Sequence, residues 1–251
     1  YYVIAVDVGR LGGGRGNCDT VACVFNVRPR PQGGDLKKLV NIYTFTDMHF
    51  EDQCIALKKL YYRYGAKKIV IDGNGLGVGL VDFFVKSQVD PDTGDVLPDF
   101  GVDNDEKNEY KRYKTSNTEL DALYIIKANA TINSECHVNA QLQLNSNRVK
   151  LLIDERTAKE KLLSTERGKK MSPEERKEYL MPFMLTSVLK EEMLNLREES
   201  EGINVKLKQA SRGIKYDKFS RFEYGLYYIK QVEDNKKKRR SRNFAAWKFY
   251  N

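Results

Sequence analysis

Tyr2-Val3-Ile4-Ala5-Val6-Asp7-Val8-Gly9 is the stretch on which the fold turns. An apolar run rich in β-branched residues reaches an acid and then a glycine. A strand with one wet face would alternate, so this run predicts a strand buried on both faces of a sheet. Asp7 then stands where the strand leaves the core, and a charge there needs water, a cation or a paired base. Taken alone, Asp-x-Gly reads as an acid capping a turn. The arrangement recurs in Lys67-Lys68-Ile69-Val70-Ile71-Asp72-Gly73, a second strand ending in Asp-Gly. Two buried strands that deliver a carboxylate at the same end predict one shared site.

The rest of the chain sets bounds on that site. Its 251 residues suit one large domain, and a hydrophobic share of 41% supports a real core and excludes global disorder. A net charge of +8 points towards a polyanionic partner, nucleic acid being the commonest. No apolar run approaches the roughly 20 residues that span a bilayer, so no membrane partner is expected. The first strand is too short for a signal peptide and lacks a cleavage site. The chain starts at Tyr1, inside a strand, and reads as a piece of a longer protein. Cys18, Cys23, Cys54 and Cys136 show no C-x-x-C spacing, and His49 and His137 are the only histidines, which argues against zinc. Scattered free thiols fit a reducing cytosol.

From Gly9 the glycine-rich, basic stretch 10–17 leads to Thr20–Val27, a second strand, and 28–35 is a hairpin loop. Leu39–Thr46 alternates as the third strand of a meander. Phe50–Tyr64 carries apolar residues at helical spacing and ends at Gly65. The strand after it, Lys67–Ile71, therefore lies parallel to the first through a right-handed crossover. A helix over 78–86, a polar exposed excursion over 88–114, a strand over 120–128, a helix over 132–144 and a short strand over 149–153 follow. Ser172-Pro173-Glu174-Glu175 is a helix start. Residues 184–199 read as helix and 203–208 as a strand or an extended arm. The last helix, 216–232, buries Phe219, Phe222, Leu226 and Ile229, and Asp217 lies in its first turn, where the helix dipole favours a carboxylate. Residues 233–251 form a basic tail followed by aromatics, so the chain divides into a domain 1–232 and a tail 233–251.

Asp7, Asp72 and Asp217 thus converge on one sheet. Like charges brought together repel unless a cation bridges them. Mg²⁺ favours carboxylate oxygens and keeps several waters. Two such ions about 4 Å apart can activate a water and stabilise the leaving oxygen of a phosphodiester. Few histidines and a basic surface make phosphodiester hydrolysis the chemistry that fits.

The ordering strand-Asp, meander, helix, strand-Asp, late helix-Asp is that of RNase H-like nucleases. More closely, VIAVDVG at Asp7, IVIDGNGLGVGLVDF at Asp72, LDALYIIKANATINSE and KYDKFSRFEYGLYYI at Asp217 resemble the C-terminal nuclease domain of the large terminase subunit of tailed bacteriophages. The resemblance implies an RNase H-like α/β fold, a mixed sheet of meander and parallel strands flanked by helices. It implies an endonuclease, dependent on Mg²⁺ or Mn²⁺ (two ions), that cuts double-stranded concatemeric viral DNA as packaging starts and ends. Its partners would be double-stranded DNA, the terminase ATPase domain, the small terminase subunit and the portal protein, at the procapsid in the host cytoplasm. Asp7, Asp72 and Asp217 match the family's metal-binding acids, and Asp19 matches an extra acid. Lys218 keeps a basic residue after the third acid. No second acid or histidine stands beside Asp217 in the sequence.

Further candidates for DNA contact are Arg10 and Arg15 in the glycine loop, Lys127 at a strand end, and Lys215 beside Asp217. Asp154-Glu155 is another strand-end acid pair with nothing to place it near Asp7, and both histidines are expected at the surface. A Walker A loop is absent, as is a dinucleotide fingerprint, so no nucleotide cofactor is expected. Two other readings stay open: an ATPase of the actin and sugar-kinase fold, whose phosphate loops Asp7-x-Gly9 and Asp72-Gly73 imitate, and a non-catalytic DNA-binding scaffold.

Overall fold

The computed structural model describes residues 1–9, 19–30, 33–113, 120–211 and 217–249, and for 112, 201, 217 and 240–249 it describes the backbone. The opening run is strand β1 (Tyr2–Asp7), followed by β2 (Thr20–Arg28), β3 (Leu36–Phe45), helix α1 (Phe50–Tyr64), β4 (Ala66–Asp72) and α2 (Leu76–Phe84). A small hairpin, β5 (Gln88–Val89) and β6 (Val96–Leu97), precedes β7 (Leu123–Ile126), α3 (Ala130–Asn145) and β8 (Val149–Lys150). Then come α4 (Glu155–Leu163), α5 (Glu166–Lys170), α6 (Pro173–Leu194), a hairpin of β9 (Leu196–Glu201) and β10 (Asn204–Gln209), and α7 (Asp217–Phe249).

The main sheet has the order β7-β4-β1-β2-β3-β8. β1, β2 and β3 form the antiparallel meander. β4 lies parallel to β1, β7 parallel to β4, and β8 parallel to β3. This is the mixed sheet expected of an RNase H-like fold, with β1 shared by the meander and the parallel half.

β1 is apolar throughout because both its faces are covered. Val3 and Ala5 join Cys23, Phe25 and Val70 under α7, through Phe222, Leu226 and Ile229. Ile4 and Val6 join Val24, Ile69 and Ile71 under α1 and α2, through Leu57, Leu80 and Phe84. Alternation therefore assigns odd positions of β1 and even positions of β4 to the α7 face. α7 approaches the sheet closely at Gly225, where a Cβ would lie 2.5 Å from the Phe25 ring and 3.1 Å from the Ala5 Cβ.

Several elements differ from expectation. The stretch 88–113 is not simply an exposed excursion, since Asp99 and Phe100 are fully buried. The Phe100 ring lies 4.8 Å from that of Tyr61 and 5.9 Å from that of Phe84, and Val102 bridges to Leu123. α6 runs unbroken from Pro173 through Pro182 to Leu194, and the chain then turns into strand rather than staying helical to 199. The helix start expected at Ser172-Pro173-Glu174-Glu175 is present, and there Ser172 and Glu175 form a capping box. α7 continues beyond the buried stripe to Phe249. Among the described residues no helix is long and apolar enough to cross a membrane.

Candidate functional site

Asp7 closes β1 and Asp72 closes β4, and the strands run in step, with Val6 opposite Ile71. The next residue on each strand is therefore an acid, and both positions belong to the α7 face. From α7, Arg221 reaches them: its guanidinium forms an ion pair with Asp7 and lies 3.6 Å from Asp72 Oδ2. Side-chain exposures of 17% for Asp7, 20% for Asp72 and 12% for Arg221 place the cluster at the rim of the core. Solvent reaches it, and the interaction is stronger than it would be at an open surface.

Neighbouring groups hold this edge in place. The Thr20 hydroxyl accepts from the Gly9 N–H at 2.8 Å, and Thr20 lies 2.7 Å from Gln53 Oε1. Gln53 Nε2 donates to the carbonyls of Gly9 and Met48 at 3.1 and 2.8 Å. The turn after Asp7 is thereby tied to both β2 and α1, with its buried backbone groups satisfied. After Asp72, the Asn74 N–H donates to Asp72 Oδ1 at 3.0 Å, and the Asn74 amide donates to the Ala128 carbonyl at 2.9 Å. Gly75 takes φ of 57°, a left-handed conformation suited to glycine. At Gly77 a Cβ would lie 1.7 Å from the Asp72 carbonyl oxygen, so only glycine fits. Gly77→Ala should push the end of β4 outward and cost about 2–4 kcal/mol in denaturant unfolding, as steric insertions into packed sites do. The same displacement should lower divalent affinity, measured by titration with Mn²⁺.

Arg221 is braced from behind. Its guanidinium carbon sits 5.6 Å from the centre of the Tyr224 ring, and the Tyr224 hydroxyl donates to Asn133 Oδ1 of α3 at 3.0 Å. Burial, with Asp72 next in effect, raises the Tyr224 hydroxyl well above its usual range, so it remains a neutral donor. The Arg221 Nε is buried and has no hydrogen-bond partner among the described residues.

On the next positions of α7, Glu223 is almost fully buried and meets His137 Nδ1 at 2.5 Å. Burial raises the Glu223 carboxyl above its usual range, and the bond to His137 opposes that. His137 is accordingly a half-buried partner within the α3–α7 packing, not the surface histidine expected; His49 is exposed.

Asp217 begins α7, and its side chain lies outside the described residues, as do Arg10, Arg15 and Lys215. Asp19 is half-buried just before β2. Lys127, at the end of β7, is exposed and pairs with Glu109 at 3.4 Å. Lys218 is half-buried and lies 3.4 Å from Glu192 of α6. Among the described residues there is no group of three or more metal-ligating side chains. The paired carboxylates do suit a hard divalent ion, which needs only one or two of them. The guanidinium they share is a cation standing between them.

Arg221 was missed in the sequence, although a signal was present. It follows Asp217 by one helical turn, a spacing that places both on one face of the helix.

No protein-family model matches the sequence, and the search of curated proteins found no significant match. Solved structures similar in fold include the large terminase nuclease from thermophilic phage G20c with bound magnesium, at 13% identity and a TM-score of 0.49, covering 90% of this chain and 80% of that one. Another is a mutant nuclease domain of the large terminase subunit of bacterial virus Sf6 with manganese, at 10% identity and a TM-score of 0.48, covering 90% and 87%. The unmutated Sf6 nuclease domain is similar at 10% identity and a TM-score of 0.49, with the same coverage. What this chain is similar to, in each case, is a large terminase nuclease domain of a phage.

Proposed function

We propose that this chain is a divalent-metal-dependent endonuclease that cuts double-stranded DNA, serving the packaging of a viral genome from concatemers. The observation that carries this reading is that Asp7 and Asp72, ending neighbouring parallel strands, are drawn onto one cation, the Arg221 guanidinium. Two acids so placed would repel each other without a positive partner.

On this reading Asp7 and Asp72 hold the metal, joined by Asp217 from the first turn of α7. Bound Mg²⁺ or Mn²⁺, as two ions, would supply an activated water and stabilise the leaving oxygen of the phosphodiester. The Thr20–Gln53 network and the Gly77 contact hold the two strand ends in place. Arg221 neutralises the acids when no metal is bound. Lys215, Lys218, Lys127, Arg10 and Arg15 are proposed as further phosphate contacts, and Asp19 as an additional ligand. Residues 233–251 are proposed as a basic and aromatic segment for DNA or for the portal, with α7 carrying its backbone as far as Phe249. The terminase ATPase domain and small subunit would complete the assembly at the procapsid.

The test is cleavage of supercoiled plasmid with Mg²⁺ or Mn²⁺, against an EDTA control. Metal-dependent nicking and linearisation are expected. No cleavage with either metal overturns the proposal, and ATP turnover by this chain would favour a phosphotransfer fold instead. Arg221→Gln supplies an independent check. With the resident cation gone, Mn²⁺ should bind about tenfold tighter, in keeping with a nearby opposite charge shifting a carboxylate by about one to three pKa units. The metal-free variant should also melt at a lower temperature than the parent, as measured by differential scanning calorimetry.

A further inference from the structure

The end of α6 grips the chain on both sides of the segment that leads into α7. Asn195, immediately after α6, holds Ser211 by a paired contact: its Nδ2 donates to the Ser211 carbonyl at 3.0 Å, and its Oδ1 accepts from the Ser211 N–H at 2.9 Å. Its own carbonyl accepts from the Ala210 N–H at 2.8 Å. One turn earlier, the Glu192 carboxylate accepts from the Phe219 N–H at 2.9 Å and lies 3.4 Å from the Lys218 ammonium.

These contacts lie inside the fold. Glu192 is 2% exposed and Asn195 is 8% exposed. A buried carboxylate is costly unless charge and hydrogen bonds compensate it. Here the compensation comes from the first turn of α7, where N–H groups lack intrahelical partners and the helix dipole is positive. Glu192 thus caps α7 from another helix, two residues beyond Asp217. Asn195 fixes the chain just before residues 212–216, and Glu192 fixes it just after them. The α7 backbone at Asp217 is accordingly located by α6, whereas Asp7 and Asp72 are located by the sheet.

We infer that Glu192 and Asn195 are positioning residues, which set the place of Asp217 relative to the two strand-end acids. The inference rests on the metal-site reading of the three acids. Removing such supporting partners from a metal site typically costs about 10- to 100-fold in metal affinity.

The probe is Tb³⁺ luminescence on the whole chain, a direct readout of divalent-type carboxylate sites that needs no cleavage. Parent, Asp7→Asn, Glu192→Ala, Glu192→Gln and Asn195→Ala are compared, each with its urea unfolding curve. Glu192→Ala should weaken Tb³⁺ binding about tenfold or more. Glu192→Gln, which keeps an acceptor for the Phe219 N–H, should recover much of it, and Asn195→Ala should fall between them. If Glu192→Ala does not fold, Asn195→Ala decides. Should the folded Glu192→Ala or, failing that, Asn195→Ala bind Tb³⁺ as the parent does while Asp7→Asn has lost it, α6 is only a structural brace and the inference is wrong. Should Asp7→Asn bind as the parent does, the metal-site reading itself fails and takes this inference with it.

Discussion

Asp7→Asn should reduce metal-dependent DNA cleavage by at least about 10³-fold, a loss of about 4 kcal/mol of transition-state stabilisation. Asn keeps the size of the side chain and removes the charge that a hard cation requires. Asp7 is the more demanding of the two strand-end acids, because it sits on the central strand and forms the direct ion pair with Arg221. Asp72→Asn should behave alike, with its turn retained, since an amide oxygen can still accept from the Asn74 N–H. Neither variant should unfold the protein, because both acids lie at the rim and retain solvent contact. Steady-state plasmid cleavage at saturating Mn²⁺, beside urea unfolding curves, separates lost chemistry from lost fold. Parent-like cutting by both variants would contradict the nuclease reading.

The largest stability effect is expected far from these acids, at Glu233→Ala. Lys37 of β3 has a fully buried side chain and lies 2.5 Å from Glu233 Oε1 of α7, whose side chain is 5% exposed. Lys37 also donates to Gln143 of α3 at 3.0 Å, and Glu233 accepts from the Asp35 N–H at 2.9 Å. Burial lowers the Lys37 ammonium below its usual range, while Glu233 acts to keep it charged. Removing the acid leaves a buried ammonium hydrogen-bonded to one neutral amide, with Asp35 the remaining carboxylate that acts on it, and breaking such a pair costs about 3–5 kcal/mol. The double variant Lys37→Met/Glu233→Leu should recover most of that loss, because a well-packed apolar pair often matches a buried ion pair. Urea midpoints of the single and double variants check both statements. A cost below about 1 kcal/mol for Glu233→Ala would mean that Lys37 gives up its proton or reaches water readily.

Much of this architecture could be read from residue order. β1 and β4 declare themselves through uninterrupted apolar runs, because both faces of each are covered, and their terminal acids stand out against that background. α1 begins at Phe50 and ends at Tyr64 as its periodicity and Gly65 predict, since an amphipathic helix on a sheet carries both signals locally. Phe100 was hidden by the Asp- and Gly-rich chain around it: one aromatic filling a gap between Tyr61 and Phe84 has no periodicity to reveal it. α6 was obscured for a related reason, because its charges lie on many faces and few of its residues are fully buried.

Of the candidate site, the strand-end acids were legible and their support was not. Arg221 lies four residues after Asp217 and could have been found from helical spacing. Glu192 and Gln53 could not, because each acts across the fold on backbone groups, a use of a side chain that leaves no local pattern. The basic run after residue 235 reads as a tail by composition, yet its backbone continues α7 to Phe249.

The most direct measurement is anomalous diffraction from a crystal of this chain soaked in Mn²⁺. Mn²⁺ should be bound by both Asp7 and Asp72, with oxygen distances of about 2.1 Å as expected for a small hard divalent ion. The Arg221 guanidinium should be withdrawn from the two carboxylates. Arg221 still paired with Asp7 at saturating Mn²⁺, with no anomalous peak between the two strand ends, would contradict the metal-site reading.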